Sequence, residues 1–140
     1  MKLNNFAYFD NIVVNLEQTS TIKFSENNKK IVFSFFYTIK KLGNTIPDSF
    51  YVENFTKENL KFLDSEYFKE NFIEYSQGRY LNKNAIATLR YNKNKGVIIF
   101  NLNHLHTYNK SLDDGECEKV EMPEYAYMQA TYEEYLNLLK

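Results

Sequence analysis

Tryptophan is absent from this 140-residue chain, and glycine, proline and cysteine number only four, two and one. One cysteine, Cys117, excludes an intramolecular disulfide and a cysteine-based zinc cluster, and a free thiol fits a reducing compartment. No apolar run approaches the roughly 20 residues that span a bilayer. The opening stretch MKLNNFAYFDN has no apolar core of signal-peptide length and no small-residue cleavage site, so the expected setting is cytoplasmic. Also missing are a glycine-rich phosphate loop, G-x-S-x-G and H-E-x-x-H, and the expectation is a non-enzymatic protein without a cofactor.

Apolar residues make up 44% of the chain, enough for one ordinary core, and the length suits a single domain over residues 1–140. Twelve Phe and twelve Tyr dominate that apolar content. Lys outnumbers Arg 15 to 2 and Asn occurs 18 times, a bias toward AT-rich codons that suits a bacterial or phage gene.

Periodicity predicts mostly strands. Ile12-Val13-Val14 is a short β-branched run. Thr21–Ser25 and Ile31–Lys41 read as a hairpin, with Ile31, Phe33, Phe35, Tyr37 and Ile39 alternating onto one face. Gly43–Asp48 reads as a break. A helical segment follows from a cap at Thr56, with a second cap at Asp64-Ser65-Glu66 and an apolar stripe of Phe68, Phe72 and Tyr75 ending at Gly78. Residues 84–92 and 97–106 predict a central hairpin turning at Asn92–Gly96, then a polar loop and an extended segment interrupted by Pro123. Thr131 and Glu134 form a capping box for a final helix. The sum is an α+β fold: a mostly antiparallel β-sheet with a central helical segment and a C-terminal helix packed on it.

Charge is distributed in blocks. Residues 75–112 contain no acid and carry Arg79, Lys83, Arg90, Lys93, Lys95 and Lys110, whereas residues 113–124 carry six acids against Lys119. The whole chain is nevertheless close to neutral, at −1. The plainer account is that the acidic run folds beside the basic hairpin and neutralises it. Two sharper readings compete with it. The acidic run, through Asp113, Asp114, Glu116, Glu118 and Glu121 with Tyr125 and Tyr127 beside it, could present carboxylates and tyrosines to a basic protein partner such as a toxin or nuclease. Alternatively Arg79, Lys83, Arg90, Lys93 and Lys95, with Tyr80, Tyr91 and Tyr108 as stacking platforms, could bind single-stranded nucleic acid. Tyr125, Tyr127, Tyr132 and Tyr135 cluster near the C-terminus and could extend a contact face or simply fill the core under the final helix.

His104 and His106 share a strand face and could ligate a metal with Glu116, Cys117 or Glu118, but two histidines without fixed partner spacing suit ordinary hydrogen-bonded roles better, and no metal is expected. Cys117 lies between Glu116 and Glu118, an acidic setting that disfavours a thiolate nucleophile.

Phe100-Asn101-Leu102, a polar loop and Thr131-Tyr132-Glu133-Glu134-Tyr135-Leu136 resemble the closing part of SUKH-type immunity proteins, and Leu42-Gly43 followed by Ile46-Pro47 echoes that family's entry motif. The resemblance covers about the last 50 residues; the N-terminal third departs, opening with strands where that family opens with a helix. It implies a protein that binds and neutralises a toxin of competing bacteria; apart from the resemblance, the same stoichiometric binding role would suit a phage-encoded inhibitor of a defence nuclease.

Overall fold

The computed structural model describes residues 5–25, 27, 29–113 and 115–140, with the side chains of 106–108 outside the description. Strand accounts for 58% and helix for 20%, so the fold is mostly antiparallel β with minor helices, one of them C-terminal. No helix among the described residues is long and apolar enough to cross a membrane. The chain forms two compact units: residues up to Phe36 with Ser49–Asn84, and Tyr37–Asp48 with Ala85–Lys140.

The first unit begins with a two-stranded ribbon, β1 (Phe6–Tyr8) against β2 (Val13–Asn15). Then come β3 (Thr19–Phe24), β4 (Lys30–Lys41) and β5 (Asn44–Glu53), and after a helical stretch β6 (Phe72–Ser76) and β7 (Arg79–Asn82). These five run in the order β5-β4-β3-β7-β6, and β4 and β5 pass from one unit into the other. Alternation along β4 buries Ile31 and Phe33 completely and leaves Tyr37 and Ile39 exposed, so the predicted apolar face is core only over its first half. Phenylalanines supply most of the packing. Phe9 meets Phe33 edge-on at 5.8 Å, Phe62 meets Phe68 at 5.6 Å, and Phe68 stacks on Phe72 at 4.7 Å. Such pairs add about 0.5–1.5 kcal/mol each beyond the area they bury.

Asn82, fully buried at the end of β7, joins the sheet to the turn before it. Its Nδ2 donates to the Thr19 carbonyl at 2.9 Å and more distantly to that of Leu16, and its Oδ1 accepts from the Asn84 amide.

Two expectations fail here. The break at Gly43–Asp48 is a tight turn, with Leu42 and Gly43 at φ 53° and 80°, leading directly into β5. Pro47 falls in that strand, and β5 is the sheet's edge, the position at which sheets accept proline. The helical stripe through Phe72 and Tyr75 is also shorter than its spacing suggests. A 3-10 helix (Glu58–Asp64) leads to α1 (Glu66–Asn71), and from Phe72 the chain is β6. Fewer than two helical turns offer little intrinsic stability, and the aromatic, β-branched run Phe72-Ile73-Glu74-Tyr75 pairs better in a sheet. Gly78, at φ 71°, therefore serves the β6–β7 turn and not a helix C-terminus. The second cap holds as expected: Ser65 Oγ accepts from the Phe68 amide and donates to the Phe62 carbonyl, closing one helix and opening the next.

The second unit is a three-stranded antiparallel sheet, β10-β9-β8, made from β8 (Ile86–Asn92), β9 (Val97–Ser111) and β10 (Cys117–Gln129). Asn92 sets the tight β8–β9 turn by accepting from the amides of Asn94 and Lys95. The helix α2 (Tyr132–Leu138) closes the chain, capped by Thr131 Oγ accepting from the Glu134 amide. Tyr91 anchors it: the phenol donates to the Ala130 carbonyl at 3.0 Å, and the ring stacks on Tyr135 at 5.5 Å. Tyr91 lies opposite Ile98, so the face shared by Ile98, Phe100 and Leu102, all buried, is the one that α2 contacts.

Candidate partner-binding face

Alternation assigns the opposite face of this sheet to the odd-numbered residues of β9 and β10. On β10 these include Glu121, Pro123, Tyr125 and Tyr127. Tyr127 lies opposite Ile99, which lies opposite Arg90; Tyr125 lies opposite Asn101, which lies opposite Thr88. The two tyrosine rings stack on each other, centroids 6.5 Å apart and planes 28° apart. Tyr125 is 38% exposed, Tyr127 58% and Leu105, opposite Pro123, 47%. These tyrosines therefore do not fill space beneath the final helix. Ile99 at 6% exposure is the buried floor between Tyr127 and Arg90.

The register slips between Pro123 and Tyr125, where Glu124 faces the three β9 residues from Leu102 to His104. This irregularity preserves the alternation of both strands, so Glu121, Pro123 and the tyrosines remain on one side. It also accommodates a polar contact on the inner face: His104, 7% exposed, bonds through Nε2 to Glu124 Oε2. The side chains of His106 and Tyr108 lie outside the described residues. Cys117 is exposed and lies opposite Ser111, seven positions along β9 from His104, a strand distance of roughly 20 Å. His104 and the Glu116–Glu118 stretch therefore do not share a site. Among the described residues no group of three or more His, Cys, Asp or Glu side chains could hold a metal ion.

The acidic candidates divide. Asp113 and Glu116 are exposed in the β9–β10 turn, held by bonds between Leu112 and Glu116 and between Gly115 and Leu112. Asp114 lies outside the described residues. Glu118 and Glu121 are exposed on opposite faces of β10, and only Glu121 shares the tyrosine face.

The basic candidates are more dispersed. Arg79, on β7, and Lys83, in the 3-10 turn after it, belong to the first unit; Arg90, Lys93 and Lys95 belong to the second. Lys93 Nζ sits 5.2 Å from the Tyr132 ring, against the final helix, while Arg90 shares the tyrosine face. Two expected platforms are committed elsewhere. Tyr91 is held by α2, and Tyr80 packs on Phe24 and Phe68. Burial first, then its hydrogen bond to Glu74 and that carboxylate's charge, push the Tyr80 phenol up to about 12.

The neutralisation account also changes. The basic turn at residues 93–96 and the acidic turn at 112–116 are at opposite ends of β9, roughly 45 Å apart along the strand. Of the basic residues on the hairpin only Lys110, opposite Glu118, is placed beside the acidic run.

Strand alternation alone would have put Leu105 beside Pro123 only with the register known, and the contribution of Asn101 and Thr88 was hidden for the same reason. No protein-family model, curated protein or solved structure matches the chain.

Proposed function

We propose that this chain is a small non-enzymatic binding protein that inhibits a partner protein, as toxin-immunity proteins and phage-encoded inhibitors of defence nucleases do. The observation that carries the reading is the exposed, mutually stacked Tyr125–Tyr127 pair over the Ile99 floor, continued by Leu105 and Pro123 and edged by Glu121. Tyrosine contributes large contact area at low rotamer cost, which suits a recognition surface. The carboxylates at Asp113, Glu116, Glu118 and Glu121 favour a basic partner by speeding encounter. The resemblance of the tail to SUKH-type immunity proteins points the same way.

The test is capture from a panel of purified nuclease toxins, followed by kinetics with two variants. Tyr125→Ser with Tyr127→Ser should raise the dissociation rate by tenfold or more, as loss of a central aromatic anchor does. Asp113→Lys with Glu121→Lys should slow association and flatten its salt dependence. A partner whose kinetics neither variant alters does not use this face.

A second reading has one specific support. Arg90 lies in the same cross-strand row as Tyr127, so a cation and an aromatic platform share one face, as single-strand binders require. An oligothymidine titration decides it: this reading expects binding that weakens steeply with salt and is lost in Arg90→Gln.

A further inference from the structure

The tip of the β4–β5 hairpin carries a residue that nothing in its own chain compensates. Lys41 ends β4 and Asn44 begins β5, so Leu42 and Gly43 alone make the turn, at φ 53° and 80°. A two-residue turn with both φ values positive favours Asn-Gly. Leucine there is strained, because a left-handed backbone brings its β-carbon close to the following carbonyl oxygen. Leu42 is also 90% exposed, so no packing within the chain offsets the strain. Single exposed leucines are common, but a strained residue at an exposed apex points to a role outside the fold. Tyr37 and Ile39, earlier on β4, are exposed as well.

The first unit holds a recess of about 290 Å³ that such an apex fits. Phe24, Phe55, Leu60 and Leu63, all half-buried, wall it, and Phe24 meets Phe55 and Tyr80 edge-on, each at 6.2 Å. Glu74 is the one charged residue in its lining; it is exposed, bonded by the Tyr80 phenol and in no ion pair with a described residue. Arg79 precedes Tyr80 and by alternation belongs to the other face of β7.

The charge at the hairpin tip is opposite. Lys40 and Lys41, both exposed, immediately precede Leu42, and a β-carbon at Gly43 would come within 3.9 Å of Lys119 Nζ. Asp48, the acid on the returning strand, is bonded by Tyr37. Glu118 and Glu121, on β10 with Lys119, form no ion pair with Lys40 or Lys41. An apolar apex backed by lysines and an apolar recess edged by a carboxylate are complementary surfaces on one chain.

We propose that the recess takes the Leu42 apex of a second copy of this chain, with Lys40 and Lys41 beside Glu74. Burial of Leu42 in the contact offsets its strained backbone. Reciprocal insertion closes a dimer, and one-way insertion propagates a chain of copies. A contact this small gives a weak, reversible association. It uses neither Tyr125 nor Tyr127 and stands apart from the proposed partner face.

The experiment follows sedimentation velocity and backbone amide shifts as the full-length protein is diluted from about 1 mM to about 10 µM, the range in which so small a contact forms and dissociates. Sedimentation should slow on dilution, and shifts should move at residues 39–44, 55–63 and 74–80. Leu42→Asn should weaken self-association by about tenfold or more, as loss of a buried leucine does. The same variant should raise the denaturation midpoint of dilute protein, because asparagine suits the turn; a leucine with only a structural role would lower it. Lys40→Glu with Lys41→Glu in one chain, and Glu74→Lys in another, should each weaken self-association. Mixed in equal amounts, these two variants should bind each other more tightly than either binds itself, since each tip then meets a recess of opposite charge. Val13→Ser, at another exposed apolar position, should change nothing. Wild-type sedimentation independent of concentration, Leu42→Asn associating like the wild type, or charge-reversed variants that do not prefer each other overturns the proposal.

Discussion

Replacing Asn82 by Ala should cost the protein about 2 to 3 kcal/mol. Asn82 is fully buried and makes two well-formed hydrogen bonds, to the Thr19 carbonyl and from the Asn84 amide, both at 2.9 Å, plus a longer one to the Leu16 carbonyl. Removing the amide leaves the buried Thr19 carbonyl without this donor, at a cost of about 1–3 kcal/mol, empties part of a buried site, and takes an acceptor from the amide of the exposed Asn84. Leu16 is cushioned, because its carbonyl also accepts from the Thr19 amide. A loss of that size should lower the melting temperature by roughly 10 °C in a chain of this length. Chemical denaturation followed by far-UV circular dichroism measures it, provided that the slope is unchanged. Asn82→Asp sharpens the test. It keeps the acceptor for Asn84 but turns a carboxylate oxygen toward the Thr19 carbonyl, so it should be at least as destabilising as Ala at pH 7. A loss below about 1 kcal/mol for Ala, or full stability in Asp, would refute the claim that this amide bridges the turn and the sheet.

Ser65→Ala should cost about 1 kcal/mol, because one hydroxyl both caps α1 and ties down the end of the preceding 3-10 helix; Ser65→Thr should recover part of it. A Ser65→Ala protein of unchanged denaturation midpoint would show that the joint is held by packing alone. The raised Tyr80 phenol gives a pH dependence of definite sign. Its folded value is about 12 against an ordinary value of 10, so the native state favours the neutral phenol: that stability is fully present below pH 10 and is lost as pH rises from 10 through 12. Absorbance titration at 295 nm should show one tyrosine ionising last, and Tyr80→Phe should remove that step; a Tyr80→Phe curve with the late step intact would assign it elsewhere.

What the sequence disclosed and what it hid follow from the range of the interactions involved. The caps at Ser65 and Thr131 and the turn at Asn92 were legible because each is a bond between residues two or three apart. The hairpin of β8 and β9 was legible because alternating apolar residues on both sides of a turn signal paired strands. The strand β5 was not, because Gly43 and Pro47 are ordinary breakers, and the edge position that lets a strand carry a proline is a property of the sheet and not of the segment. The candidate face was half legible. Tyr125 and Tyr127 stand two apart and share a side of any strand, but which side α2 covers depends on Tyr91 reaching Ala130 from 39 positions away. The slip opposite Glu124 is likewise a property of pairing, invisible in either strand alone.

The charge blocks show how a local pattern misleads when the topology is unknown. Neutralisation was the economical account of a basic stretch followed by an acidic one. β9 separates their turns by roughly 45 Å of strand, several times the screening length of about 8 Å at physiological salt. Two charges so far apart act independently, which makes a direct measurement available. Lys95→Glu and Asp113→Lys are both exposed turn substitutions, each expected to change stability by no more than about 0.5 kcal/mol. Their double variant should equal the sum of the singles within about 0.3–0.5 kcal/mol, as for distant sites. The neutralisation account requires the opposite: reversing both should restore what reversing one removes, giving a coupling of about 1 kcal/mol that shrinks with added salt. Lys110→Glu with Glu118→Lys is the positive control, since these two face each other across the ladder and should couple as a cross-strand pair. Coupling at the distant pair as large as at the control would mean that the two ends of the hairpin meet in solution, and the acidic turn would then be answering its own chain instead of facing a partner.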